Sequence, residues 1–244
     1  MMPDSIICWK WSTPGYRSTF TADTVNALFT MVRRHYPEPF RAICVTDDAD
    51  GIDASIEIVA DEKDFADVPS PHGGKNPSCY RRLRMFRPDA GAVFGRRFAS
   101  MDLDCVVTGD LRPLFNRHED LVMWGDTNKL PRSHYNGSLL LMTAGTRSKV
   151  WTEFDPRTSP RRSLAAKAFG SDQGWISYVL GPGEAKWSKA DGVYSYRNDL
   201  ARRPDALPTD ARLVFMHGNS DPWSTDCQRV GWIRQHYPMP ARAA

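Results

Sequence analysis

An apolar, β-rich run, Ser5-Ile-Ile-Cys-Trp-Lys-Trp11, is closed by the turn-forming Ser12-Thr-Pro-Gly15. After it comes Thr21 to Tyr36, in which Val25, Leu28, Phe29 and Val32 fall at i, i+3, i+4 and i+7. The first pattern is that of a buried strand, and the second that of an amphipathic helix stopped by Pro37. Phe40 to Thr46 and the short Ser55 to Ala60 read as the next strands, before a Pro/Gly-rich loop from Pro69 to Pro77. The alternation then continues. Ser78 to Phe86 reads as a helix, and Arg97 to Leu103 as a strand that Cys105 to Thr108 prolongs. Leu121 to Trp124 and Tyr135 to Thr143 read as strands, Asp172 to Leu180 as a helix, and Leu213 to His217 as a late strand. Such a series restricts the chain to α/β architectures. It predicts a sandwich with a mainly parallel central sheet flanked by helices, with ligands at the carboxyl ends of the strands.

The chain has 244 residues, 41% of them hydrophobic, enough for one core or at most two small ones. A single domain over residues 1–244 is expected. With 25% charged residues and a net charge of only +3, the composition excludes a disordered chain. No apolar run is longer than Leu139 to Met142, which is too short to span a bilayer, and Met1 to Lys10 lacks the pattern of a secretory signal. A soluble, cytoplasmic protein is therefore expected. The cysteines Cys8, Cys44, Cys79, Cys105 and Cys227 are odd in number and form no C-x-x-C pair, which favours buried thiols over metal ligands or disulfides.

Charge is segregated along the chain. Asp47 to Asp67 holds nine carboxylates and one lysine, whereas Arg81 to Arg97 holds six arginines and one aspartate. Arg157, Arg161, Arg162 and Lys167 form a second basic stretch without an acid, a candidate anion-binding rim for an acceptor.

The chemistry centres on Met101-Asp-Leu-Asp-Cys105. In a strand, residues i and i+2 project on one side, so Asp102 and Asp104 would face one cation if the strand reached that far. Hard carboxylate oxygens suit Mg²⁺ or Mn²⁺, ions that usually also take substrate phosphates.

Around this D-x-D lie further short motifs in order. They are Tyr80-Arg-Arg-Leu83, Gly109-Asp-Leu-Arg-Pro-Leu-Phe115, Tyr135-Asn-Gly-Ser138, Ser171-Asp-Gln-Gly174, and Phe215-Met-His-Gly218 with Pro222-Trp223. Together they resemble the nucleotide-sugar glycosyltransferases of the GT-A fold, in particular the branch containing glycogenin and the bacterial lipopolysaccharide galactosyltransferases. The resemblance implies a GT-A (Rossmann-like) fold and metal-dependent transfer of a hexose from a nucleoside diphosphate sugar, UDP-glucose or UDP-galactose, to an acceptor hydroxyl with retention of configuration. It implies that Asp102, Asp104 and His217 hold Mn²⁺ or Mg²⁺, and that Asn136, Asp172 and Gln173 line the sugar and its anomeric carbon. Donor contacts would come from Tyr80, Arg82, Leu103 and Gly218. Trp9, Trp11 and Tyr16 would offer a flat face to the base, and Asp47 or Asp48 would accept a hydrogen bond from an imide or a ribose hydroxyl. The donor side would occupy roughly residues 1–115 and the acceptor side roughly 116–244.

Two departures stand out. Asp221 occupies the place of a lysine that in the family contacts donor phosphate, and Gly137-Ser138 reverses the usual order of a small residue followed by glycine. A saccharide, lipid or protein hydroxyl fits the acceptor, as does DNA bearing hydroxylated bases, whose phosphates would engage the second basic stretch. The same carboxylates and arginines would also serve a nucleotidyltransferase, and the arginines alone a non-catalytic protein that binds anionic polymers.

Overall fold

A computed structural model describes residues 2–12, 20–71, 78–127, 133–216, 218 and 220–239. In chain order the elements are β1 (Ser5–Lys10), α1 (Ala22–His35), β2 (Arg41–Thr46), β3 (Glu57–Ala60), a 3₁₀ segment (Tyr80–Phe86), α2 (Gly91–Phe94), β4 (Arg97–Met101) and β5 (Cys105–Val107). There follow α3 (Arg112–Phe115), β6 (Leu121–Gly125), β7 (Tyr135–Thr143), α4 (Lys149–Thr152), α5 (Ser159–Ala165), α6 (Asp172–Leu180), β8 (Ala185–Trp187), β9 (Val193–Ser195), a π-helical turn (Tyr196–Leu200), β10 (Leu213–Phe215), α7 (Thr225–Gln228) and α8 (Gly231–His236).

Seven strands form the central sheet in the order β3-β2-β1-β4-β7-β6-β8. Every pair is parallel except the two that β7 makes, with β4 and with β6. The mainly parallel sheet is therefore as expected, and the period-2 alternation sorts its side chains between two faces. Ile6, Cys8, Cys44, Ala99, Met101, Leu139 and Leu141 pack under α1 and the small sheet. Ile7, Trp9, Ile43, Val45, Phe98, Leu140 and Met142 pack against the 3₁₀ segment, α4 and α6. Because both faces are covered, all six residues of β1 are buried, including Ser5 and Lys10.

Two expectations need correction. The chain does not run as one strand from Arg97 to Thr108. β4 ends at Met101, and β5 belongs to a second, three-stranded sheet, antiparallel to β10, which in turn pairs in parallel with β9. The physical reason is the sheet's double burial: Asp102 and Asp104 are half-exposed, and a strand covered on both faces would bury them. Asp102 and Asp104 therefore flank a bend around the buried Leu103 instead of sharing a strand face. Likewise Ser78 to Phe86 is no α-helix but the 3₁₀ segment Tyr80–Phe86, followed by Arg87 in an extended conformation (ψ 144°), as the residue before a proline prefers. Among the described residues, no helix is long and apolar enough to cross a membrane. The cysteines are free, four of them buried and Cys79 half-buried.

Candidate active site

The candidate residues gather where β4 leaves the central sheet. Asp102 continues the β4–β7 ladder by one bond, its N–H donating to the Ser138 carbonyl (2.9 Å). That places its carboxylate beside the Asn136-Gly137-Ser138 stretch of β7, where Asn136 Oδ1 accepts the Ser138 N–H (2.9 Å). Across from it, α6 begins with Asp172. The 3₁₀ segment is tied to this helix start, since the Cys79 N–H donates to Ser171 Oγ (3.0 Å).

Arg82 reaches out from that segment and joins the two acids. Its Nε and Nη2 donate to Asp172 Oδ2 at 2.8 and 2.6 Å, and its Nη1 donates to Asp102 Oδ1. The Arg82 and Asp172 side chains are only 7% and 4% exposed, against 28% for Asp102, so the triad runs from the interior to a solvent-facing carboxylate. Burial works against the Arg82 charge, but the Asp102 and Asp172 carboxylates outweigh it and hold the guanidinium charged. For Asp172, burial is the larger effect and raises its carboxyl above the usual range despite the Arg82 attraction. Burial also pushes the nearby Cys79 thiol up to about 12, which leaves it protonated and unreactive as a nucleophile at neutral pH.

Gly137 explains how the guanidinium fits. A β-carbon built on it would lie 2.7 Å from Arg82 Nη2 and 3.2 Å from Asp172 Oδ2. The reversed Gly137-Ser138 order thus has a steric cause, and the Gly137 N–H also donates to Gln173 Oε1 (3.4 Å). The reversed motif was visible in the sequence, but not what it makes room for.

Asp104 sits on the other side of the bend, its carbonyl accepting the N–H of Met216 (2.7 Å). Asp102 and Asp104 supply hard oxygens at a half-exposed position, and Arg82 occupies only Oδ1 of Asp102 among the described residues. No third His, Cys, Asp or Glu joins them there among the described residues. Two carboxylates still fit Mg²⁺ or Mn²⁺, since such ions commonly complete their shell with waters and substrate phosphates. His217 and Tyr16 lie outside the described residues. Gly218, two residues after Met216, has a positive φ of 76°, which favours glycine there.

The remaining candidates are dispersed. Trp9, Tyr80 and Leu103 are core residues: Trp9 packs near Phe94 (centroids 6.3 Å apart) and Tyr80 against Phe154 (4.9 Å). Trp11 is half-buried beneath the Arg81 guanidinium, 5.4 Å from the ring centroid, and is the more accessible of the two tryptophans of this segment. Asp47 accepts the Ser12 N–H (3.2 Å), while Asp48 pairs with Lys10 (3.3 Å) and is held below the usual carboxylate range, first by the Asp50 N–H and then by Lys10. Arg157, Arg161, Arg162 and Lys167 are exposed on and around α5, with Arg162 stacked over Trp175 and Tyr178 (5.9 and 5.4 Å).

The arginines of the first basic stretch bind within the molecule. Arg81 pairs with Asp61, Arg84 and Arg87 with Glu62 (2.7 and 2.9 Å), and Arg97 donates to the carbonyls of Glu119 and Arg117 (3.0 and 3.1 Å). Arg96 is engaged as well. The acidic Asp47–Asp67 stretch and this basic one partly neutralise each other, which removes the sequence argument for a polymer-binding stripe there.

No protein-family model matches the chain, and no curated protein matches it. Solved structures do. The galactosyltransferase LgtC, crystallised in complex with donor and acceptor sugar analogs, is 16% identical and matches over 97% of each chain with a TM-score of 0.60. The glycosyltransferase GlyE of Streptococcus pneumoniae TIGR4 is 12% identical over 98% of this chain and 66% of its own, with a TM-score of 0.57. The bifunctional glycosyltransferase WbbM is 12% identical over 98% of this chain and 50% of its own, with a TM-score of 0.56. At such identities the shared property is the fold, which is the GT-A type, as the motifs imply.

Proposed function

We propose that this chain is a metal-dependent glycosyltransferase that moves a hexose from a nucleoside diphosphate sugar, UDP-glucose or UDP-galactose, to an acceptor hydroxyl. One observation carries the reading: the Asp102–Arg82–Asp172 triad, which joins the D-x-D carboxylate to the start of α6 at the strand ends of a GT-A fold. The pairing of β5, from the donor side at roughly residues 1–115, with β10, from the acceptor side at roughly 116–244, supports reading the two as one unit.

Asp102 and Asp104, with His217, would hold Mn²⁺ or Mg²⁺. That ion, when bound, stabilises charge on the departing diphosphate as a Lewis acid. The chain's own residues do the rest. Arg82 fixes the orientation of Asp102 and, through Asp172, that of the α6 start, so the site is set before substrate arrives. Asn136, Asp172 and Gln173 line the sugar. As the anomeric C–O bond breaks toward the phosphate, the acceptor oxygen attacks the same face, and the leaving phosphate oxygen takes the acceptor proton, giving an α-glycoside from an α-linked donor.

The exposed cations Arg157, Arg161 and Lys167 support an anionic acceptor, for which DNA bearing hydroxylated bases is the proposal. Filter binding at low salt tests it, and absence of binding leaves a saccharide, lipid or protein hydroxyl. The activity itself is tested by screening nucleotide sugars for Mn²⁺-dependent hydrolysis and thermal stabilisation. Asp104→Asn should abolish turnover with an unchanged melting transition; activity that persists in EDTA, or in this variant, refutes the metal-dependent reading. The anomeric proton coupling of the product reads out retention, and a β-linkage would assign an acid such as Asp172 as general base.

A further inference from the structure

Across the small sheet, Cys105, Phe215 and Ser195 lie side by side in register. Just past that row, one rim gathers three chain segments: Asp104 before β5, Met216 and Gly218 after β10, and Tyr196-Arg197 after β9. The Met216–Asp104 backbone bond (2.7 Å) ties the first two together. The third is brought against the second by Arg197, whose Nη1 would lie 3.4 Å from a β-carbon built on Gly218. A side chain at residue 218 would crowd the guanidinium, and the positive φ of Gly218 disfavours one independently.

Arg197 is exposed and, among the described residues, forms no hydrogen bond or ion pair. Its neighbours on the π-helical turn are engaged: Asn198 donates to Thr127 Oγ1 (2.9 Å), and Asp199 accepts the Ser195 N–H (2.9 Å) and pairs with Lys189 (3.3 Å). The turn is thus anchored while its one guanidinium stays unpaired, on the rim that also carries Asp104. A ligand that is itself anionic and brings a divalent ion would meet both features, its cation facing the carboxylates and its phosphate oxygens facing the guanidinium fork.

We infer that Arg197 binds the diphosphate of the donor, an assignment that rests on the glycosyltransferase reading. It adds a cation from the second half of the chain to a donor site that Gly218 already borders. No group changes covalent state: Arg197 contributes charge-assisted hydrogen bonds to phosphate oxygens.

Calorimetric titration of the full chain in MnCl₂ with uridine, UMP and UDP tests it, alongside ADP, GDP, CDP and TDP, each with its own nucleoside. For Arg197→Ala, affinity for the diphosphate that the wild type binds should fall about tenfold to a hundredfold, as for loss of hydrogen bonds to a charged group. Affinity for the matching nucleoside should not change, Arg197→Lys should recover part of the loss, and the melting temperature should stay the same because Arg197 is exposed. Wild-type and Arg197→Ala proteins binding the diphosphate equally would overturn the assignment and leave the donor reading intact. Equal losses for nucleoside and diphosphate would also overturn it. A wild type that binds none of these diphosphates would remove the donor reading, and this inference with it.

Discussion

Arg82 and Arg84 stand two residues apart on the same 3₁₀ segment, and their side chains are almost equally buried, at 7% and 6% exposed. Their partners differ. Arg82 faces Asp172, 4% exposed, whereas Arg84 faces Glu62, 49% exposed and shared with Arg87. The contrast teaches that the burial of the cation does not set the weight of an ion pair; the surroundings of the carboxylate do. Water can solvate Glu62 if its arginine leaves, whereas Asp172 has little access to water to replace its own.

The sharpest way to break this contrast is Arg82→Ala. It strands a buried carboxylate, so stability to urea should drop by about 3–5 kcal/mol. Arg82→Lys should recover only part, since one ammonium cannot reproduce the fork that spans two acids. A loss under about 1 kcal/mol would make Arg82 no different from its neighbour.

Gly137→Ala probes the same triad by crowding. Gly137 does not need a positive φ, so the cost comes from the β-carbon pressing on a guanidinium held from both sides. About 1–3 kcal/mol of destabilisation is expected from such overpacking, again by urea unfolding. No change would mean that Arg82 yields easily.

The pH dependence of stability separates burial from attraction at Asp172. Burial raises its carboxyl above the ordinary value, so the folded chain keeps the proton where the unfolded chain has lost it. The group's stabilisation is fully present below the unfolded value, about 4, and is lost as pH rises through the folded value. The melting temperature of the wild type relative to Asp172→Asn should therefore decline as pH rises above about 4. A rise would show that Arg82 outweighs burial. The smallest effect belongs to Glu62→Gln, where an exposed carboxylate should contribute about 0–1 kcal/mol, and less in high salt.

Much of the fold was legible because its signals are local. The bounds of β7 and α6 match the expected Tyr135–Thr143 and Asp172–Leu180, each a long, uninterrupted pattern. The D-x-D and its companion motifs were legible too, for they are short words in one order along the chain, and Arg82 joins two of them, at Asp102 and Asp172.

What only the tertiary structure decided is pairing. The apolar residues before and after Asp102-Leu-Asp104 read as one strand because hydrophobic pattern records burial and not the identity of the neighbour, yet they belong to different sheets. Arg82 is 20 residues from Asp102 and 90 from Asp172, so no local spacing announces that one guanidinium joins them. The same holds for Gly137 beneath that guanidinium and for Arg197 over Gly218. Short-range patterns follow from backbone geometry, which each residue carries with it; the charge contacts follow from where the packed sheets bring distant residues to one edge, and only the complete fold defines that.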